Sequence, residues 1–380
     1  MFPGSFIRLL VEAVGEEKAQ VVLDALSQSP SVSIRLNPSK IRECPFEAVS
    51  RVPWSPFGYI LKDRPVFTLD PLFHAGSYYV QDSSAMFVGW VFRKVLALFD
   101  DSHLNVLDLC AAPGGKSTDL AASLRERLGD KFSLVANEVM KKRFSVLRNN
   151  VRVWGDPCVG VVSKDPSAFR ERETFDIILA DVPCSGEGMF RKDEKAVEDW
   201  SEETVAFCAA RQKRIISDIW PSLKEGGVMI YSTCTFNKAE NDGNVEWAAD
   251  ELGAEILDFG EVDGVVKTEL GYSLLPGLVP GEGQYAAALK KSGEYSPARR
   301  GNVLSGIERP AVILKDYPRV EVDLPTALDY LHGDALRLSE APFGMIYVCY
   351  SGQVLGEAKN IGSRCNNLYP KENRIRMTIK

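Results

Sequence analysis

Cys184 stands in the run Asp181-Val182-Pro183-Cys184-Ser185-Gly186, and Cys234 in Tyr231-Ser232-Thr233-Cys234-Thr235-Phe236. Each thiol follows an apolar run that reads as a buried parallel strand. The runs are Phe175-Asp176-Ile177-Ile178-Leu179-Ala180 and Gly227-Val228-Met229-Ile230-Tyr231. Open parallel sheets hold their ligands beyond the strand ends. The spacing therefore predicts two thiols facing one crevice beside the Asp181 carboxylate. Few chemistries need two thiols and an acid without a metal, and methylation of carbon 5 of a pyrimidine is one of them.

A third strand end carries small residues instead. Asn105–Leu109 leads into Cys110-Ala111-Ala112-Pro113-Gly114-Gly115-Lys116, and a helix follows to about Leu128. The dinucleotide pattern G-x-G-x-x-G is missing. Ala111, Ala112 and Pro113 stand where a pyrophosphate needs close backbone approach. A cofactor made of a nucleoside and an amino acid, without phosphate, suits such a loop better. Glu138, after the strand Phe132–Ala136, is placed to accept hydrogen bonds from two ribose hydroxyls. Asp165, after Val159–Val162, is placed to accept from an adenine amino group. Taken singly these are a tight turn and two solvated acids. Together, at successive strand ends, they predict S-adenosylmethionine.

The elements that position these groups alternate strand and helix from Asn105 onward, which predicts a mostly parallel sheet with helices on both faces. Glu255–Phe259 and Gln284–Lys290 are expected to close it as an antiparallel hairpin. Upstream, residues 5–30 read as helical, Ser33–Pro38 as extended, and Gln81–Leu98 as an amphipathic helix. Downstream, Met345–Tyr350 and Gln353–Ala358 alternate around Ser351-Gly352. The expected organisation is an α/β protein in four parts. A small N-terminal α/β domain covers 1–72, a Rossmann-like core 73–292, a linker 293–306, and a β-rich domain 307–380.

Composition sets bounds. The 380 residues suffice for several cores, and 45% hydrophobic with 26% charged residues is ordinary for a soluble protein. No apolar run reaches the length of a membrane span, and the start lacks the pattern of a secretion signal. Eight scattered cysteines without a C-x-x-C predict neither zinc nor disulfides but reduced, cytoplasmic thiols. The net charge of −7 counts mildly against a nucleic-acid binder, but a local patch suffices, and Lys359, Arg364, Lys371, Arg374, Arg376 and Lys380 stand against the single acid Glu372 near the C-terminus. Lys141-Lys142-Arg143 reads as a solvated face.

The chain resembles the RNA cytosine-C5 methyltransferases of the Nol/Nop/Sun type. The resemblance rests on Asp108–Lys116, on Asp181–Asp193, and on Tyr231–Phe236 with Glu240-Asn241. Gly186-Glu187-Gly188-Met189-Phe190-Arg191-Lys192 is similar to the bacterial branch acting on small-subunit (16S) ribosomal RNA, as are Ser33–Pro38 and Gly76–Gln81. The family implies a class I S-adenosylmethionine-dependent methyltransferase fold. It implies that Cys234 is the nucleophile, Cys184 the thiol needed for product release, and Cys110–Lys116, Glu138, Asp165 and Asp181 the cofactor-binding positions. It also implies a C-terminal RNA-binding module of the pseudouridine-synthase-associated (PUA) kind, an RNA partner, no metal and no membrane, with a monomer expected. Two positions depart from the family: Pro276 is followed by Gly277 where Pro-His is common, and Tyr285 stands where Phe is more usual.

The chemistry explains the residue types. Carbon 5 of cytosine is a weak nucleophile, and a thiolate adding at carbon 6 turns the ring into an enamine. An acid such as Asp181 can assist at N3, and a second thiol can help to break the protein–base bond. The residues alone leave the division between the thiols open, since DNA cytosine methyltransferases use the Pro-Cys thiol as nucleophile. A base in a duplex is out of reach, so a loop or a flipped base is expected. Phe190 and Phe236 are candidates to stack on it, with core packing the equal alternative. Rival readings are a tRNA methyltransferase, an amino-group methyltransferase, a dehydrogenase, and a non-catalytic assembly factor of the same fold.

Overall fold

The computed structural model describes residues 2–169, 173–296, 306–312 and 314–377. Two helices open the chain, α1 (Gly4–Val14) and α2 (Glu16–Leu26). The helical stretch expected over 5–30 is divided in two because Gly15 takes φ +82°, a conformation that turns the chain. An antiparallel sheet follows, built from β1 (Ser33–Leu36), β2 (Ala48–Arg51), β3 (Gly58–Leu61) and, after the short α3 (Pro71–His74), β4 (Tyr78–Val80), in the order β2-β3-β1-β4. Since β4 pairs with β1, this unit reaches past the expected boundary at residue 72.

The core starts at α4 (Phe87–Leu96), later than the helix expected from Gln81. Asp82 explains the delay: its carboxylate accepts from the Ser84 and Glu282 amides, which holds residues 82–84 in a turn. Phe87, Val88, Val91, Phe92 and Val95 then line one fully buried helix face.

The strands β5 (Leu104–Asp108), β6 (Phe132–Asn137), β7 (Val159–Val162), β8 (Phe175–Asp181) and β9 (Leu223–Thr233) are parallel, in the order β7-β6-β5-β8-β9. The helices α5 (Gly115–Leu128), α6 (Lys141–Trp154), α7 (Glu194–Glu198), α8 (Glu202–Ile219) and α9 (Asp242–Leu252) follow these strands. The strand order reverses between β5 and β8, so a crevice opens at their carboxyl ends. After α9 come β10 (Glu255–Leu257), β11 (Val266–Lys267), β12 (Tyr272–Leu274) and β13 (Gln284–Lys290). β13 runs antiparallel to β9, with β10 and β12 sharing its outer edge. The expected pairing of 255–259 with 284–290 is therefore present, but β11 and β12 occupy the connection, so it is not a simple hairpin. Apolar side chains on the two faces of this sheet make two separate cores.

The last unit contains β14 (Arg319–Glu321), α10 (Leu324–His332), β15 (Gly344–Tyr350), β16 (Gln353–Asn360) and β17 (Cys365–Asn367) around its own core of Leu331, Ile346, Val348 and Ala358. Most of the expected linker, 297–305, lies outside the described residues, as does Lys380. Glu308 exchanges two backbone hydrogen bonds with Val161, adding a bridge at the open edge of β7. Arg364, Lys371 and Arg376 are exposed, whereas Arg374 packs against Gly333. The basic tail thus offers fewer free cations than the sequence suggests.

Candidate active site

The register of β8 against β9 pairs Asp181 with Ser232, so both strands end at the same level. Their following loops bring Cys184 Sγ and Cys234 Sγ to 3.1 Å. The Cys234 amide donates to Cys184 Sγ at 3.3 Å. The contact with Cys234, together with burial, pushes the Cys184 thiol well above its usual range. Asp181 accepts from Ser232 Oγ at 2.8 Å and from Lys116 Nζ at 2.9 Å. Burial opposes the Lys116 charge, but Asp181 outweighs it and the ammonium is favoured. The Lys116–Asp181 pair spans the gap between the β5 and β8 loops, so the thiols, the acid and the small-residue loop share one crevice.

Two buried carboxylates lock the thiol loops together. Glu187, three residues after Cys184, reaches across to the Cys234 loop. One oxygen accepts from Thr235 Oγ1 (2.5 Å), Phe236 N (2.8 Å) and Asn237 N (3.1 Å). The other accepts from Trp200 Nε1 (3.0 Å) and Asn237 Nδ2 (2.9 Å). Glu240 answers from the other side, accepting from Ser185 N, Gln212 Nε2 and Asn237 Nδ2 at 3.0, 2.7 and 2.9 Å. Between them Gly188 lies so close that an added Cβ would meet Gly283 O and Cys234 O within 2.7 and 2.8 Å. Only glycine permits that approach.

The β5 loop is held differently. Gly114 at φ +108° starts α5, and the Ala111 amide bonds to Asn137 O at 2.8 Å. Asp108 is fully buried beneath the loop. One of its oxygens accepts from Ser117 Oγ at 2.6 Å, and the other has no hydrogen-bond partner. Burial raises its carboxyl to about 7. Glu138 is buried too, with one oxygen on the Met140 amide at 2.8 Å and the other without a hydrogen-bond partner, 3.4 Å from Arg143. Arg143 also donates to Ala112 O at 2.6 Å. Lys141-Lys142-Arg143 is therefore not simply a solvated face, because its last member ties Glu138 to the loop. Asp165 is half exposed and accepts from Ser167, which holds its carboxyl below the usual range. Cys110 lies in the loop with its thiol pushed far up by burial.

The N-terminal sheet contributes a residue that sequence reading missed. Arg35 of β1, fully buried, donates to Gly115 O (3.0 Å), Thr118 Oγ1 (2.6 Å) and Gln81 Oε1 (2.8 Å), with its guanidinium 4.8 Å from the Trp154 ring centroid. Glu187, Glu240, Gln212 and Asn237 were missed as well, and only the match of 186–192 and 240–241 to a family motif hinted at the first two. Phe190 and Phe236, candidates for stacking on a base, instead pack with Phe6 and Trp200 in a buried aromatic cluster. The packing alternative holds for both, since α1 covers them. The two departures from the family also have local reasons. Tyr285 donates its hydroxyl to Asp242 at 2.6 Å, and a side chain at Gly277 would come within 2.7 Å of Val21 in α2.

Residues 94–290 match a family described as 16S rRNA methyltransferase RsmB/F. Residues 2–83 match the N-terminal domain of 16S rRNA methyltransferase RsmF, and 317–375 the methyltransferase RsmF PUA domain. Ribosomal RNA small subunit methyltransferase F of Pectobacterium atrosepticum is 34% identical over 293 residues, covering 70% of this chain and 58% of the relative. The protein of that name from Cronobacter sakazakii is 33% identical over 319 residues, covering 78% and 64%. The chain thus spans about six-tenths of the length of these curated relatives. Among solved structures, a methyltransferase homolog protein from Pyrococcus horikoshii superposes with a TM-score of 0.64 at 25% identity, covering 76% of this chain and 95% of that one. NSun6 from the same organism gives 0.64 at 19%, covering 77% and 99%, which speaks to fold alone.

Proposed function

The chain belongs to the 16S rRNA methyltransferase RsmB/F family, and on that premise we propose that it transfers a methyl group from S-adenosylmethionine to carbon 5 of a cytosine in small-subunit ribosomal RNA. The observation that carries the reading is the pair of sulfurs 3.1 Å apart beside the Lys116–Asp181 ion pair.

The residues fit the cofactor. Asp108 and Glu138 each keep one buried oxygen without a hydrogen-bond partner around a loop of small residues, which suits a ligand rich in donors. Cys110–Lys116, Glu138, Asp165 and Asp181 would hold it, with Glu138 on the ribose hydroxyls and Asp165 on the adenine amino group. Bound there, S-adenosylmethionine supplies an electrophilic methyl group on its sulfonium.

The protein's own groups do the rest. Cys184, with its raised proton affinity, stays a thiol 3.1 Å from Cys234, and Cys234 attacks as a thiolate once its own proton has left to solvent. Cys234 sulfur forms a bond to carbon 6 while N3 takes up a proton delivered through the Asp181 carboxyl. Carbon 5, now an enamine carbon, takes the methyl group. The carbon 5 proton then leaves to water and the N3 proton returns through Asp181, while the Cys184 thiol hydrogen-bonds the departing sulfur as the carbon 6–sulfur bond breaks and the Cys234 thiolate returns. The glutamate braces keep both sulfurs at this separation throughout. The exposed Arg364, Lys371 and Arg376 of the C-terminal unit meet RNA phosphates.

The test divides the thiols. Cys184→Ala should still attack the base and take up the methyl group, but accumulate a denaturation-resistant protein–RNA complex. Cys234→Ala should form no adduct and transfer no methyl group. An adduct seen only in the Cys234 variant would exchange the two roles. Methylation surviving in both variants would remove the two-thiol mechanism.

A further inference from the structure

A cavity of about 520 Å³ opens where three parts of the chain meet: the N-terminal sheet with α3, the end of α6, and the last turn of the C-terminal unit. Phe73, Tyr79 and Tyr369 give it aromatic walls, and Asn149, Asn150 and Asn373 bring amides to it. Arg64 stands among the lining residues with its guanidinium 5.7 Å from the Phe67 ring centroid, and Glu372 is the one acid among them. A second cavity, about 610 Å³, shares His74, Val153 and Tyr369 with the first and adds Arg152 and Arg319. The two form a seam in which aromatic planes and amides give way to guanidinium groups.

We propose that the first cavity takes one unstacked nucleobase from the single-stranded RNA, outside the methylated position, while the arginines of the adjoining cavity take the neighbouring phosphates. This rests on the RNA-methyltransferase reading above and extends it to a second base site. The chemistry selects the ligand. Single-stranded RNA is held by stacking on aromatic rings, by amides on base edges and by cations on phosphates. The volume admits a nucleoside with room to spare. The wall also touches the methyl-transfer machinery. Asn150 Nδ2 donates to Pro113 O at 2.8 Å and to Tyr79 OH at 3.4 Å, and the Tyr79 ring lies 3.2 Å from the position of a Cβ on Gly115. A base resting on Tyr79 is therefore one side chain away from the cofactor loop.

The probe is a decamer of oligouridine containing 4-thiouridine, irradiated on the full-length protein, with adducts mapped by mass spectrometry. Adducts should fall on the segments holding Phe73, Tyr79 and Tyr369. Asn373→Trp, which plugs the cavity from a surface turn, should reduce them about fivefold or more while thermal unfolding stays unchanged. Asn149→Ala should weaken decamer binding in the same direction. Adducts confined to other segments, or unchanged by Asn373→Trp, would overturn the base site even if the wild type methylates ribosomal RNA normally. Failure of the wild type to bind the decamer would overturn the base site alone, whereas failure to methylate ribosomal RNA would overturn the functional reading and the base site with it.

Discussion

The loops carrying the two thiols and the loop after β5 lie side by side at one edge of the same sheet, yet their buried polar atoms are handled in opposite ways. Between the thiols, Glu187 and Glu240 accept eight hydrogen bonds, six from residues of the two thiol loops and two from Trp200 and Gln212. Beneath the Cys110–Lys116 loop, Asp108 and Glu138 each keep one oxygen without a hydrogen-bond partner. A buried carboxylate oxygen left without a partner is costly, so such atoms persist where something outside the chain meets them. The difference separates two tasks. In the proposed reaction the sulfur positions are fixed before substrate arrives, because attack on carbon 6 requires near-contact geometry. A cofactor site must leave its acceptors open.

The thiol side should therefore break hardest. Glu187→Ala removes one carboxylate and strands the Phe236 and Asn237 amides and the Trp200 indole N–H in a buried setting. We expect a loss of about 4 kcal/mol or more in urea unfolding, with methyl transfer abolished. Glu187→Gln should rescue little, since its amide nitrogen would face donors instead of accepting from them. A loss below about 1 kcal/mol for the alanine variant would show that the brace does not hold the loops.

The two regions also differ in how far the sequence disclosed them. The strand ends were legible because apolar runs of four to six residues announce buried parallel strands, and Asp181, Cys184, Cys234 and the Cys110–Lys116 loop follow those runs directly. The braces were not legible, because Glu187 finds its partners in the Cys234 loop 48–50 positions away and one glutamate in a loop looks like any other. Phe190 and Phe236 were ambiguous for the same reason: the helix that buries them, α1, lies at the far end of the chain. The start of α4 was misplaced because the turn at Asp82 depends on a hydrogen bond from Glu282, 200 positions on. Local pattern reveals elements and their ends, while long-range contacts decide which polar groups serve packing and which serve chemistry.

On the cofactor side the clearest signature is pH dependence. Asp108 is raised by burial from its ordinary value to about 7 in the folded chain. Between about pH 4 and pH 7 the folded state therefore holds a proton that the unfolded state has released. Stability from this group falls as pH rises through that window and levels off above it. The upper bound is roughly 2–4 kcal/mol. Asp108→Asn cannot ionise, so its stability curve should lose this downward slope relative to wild type. Parallel curves from pH 4 to 8 would mean that Asp108 is not held protonated.

The smallest expected effect is the most direct measure of that site. Glu138 has one oxygen committed to the Met140 amide and one without a hydrogen-bond partner, and it stands at the end of β6 where a ribose would lie against the sheet. Replacing it with alanine removes a charged acceptor from the ligand but strands fewer protein donors than the Glu187 change does. Calorimetry with S-adenosylmethionine should therefore show affinity weakened by about 1.5–3 kcal/mol, with unfolding little altered. Glu138→Gln, which keeps an acceptor oxygen, should recover part of the loss. If Glu138→Ala binds as tightly as wild type but unfolds as readily as Glu187→Ala, Glu138 is a structural brace to Arg143 and Met140, and the division between a closed thiol side and an open cofactor side fails at its best-placed acid.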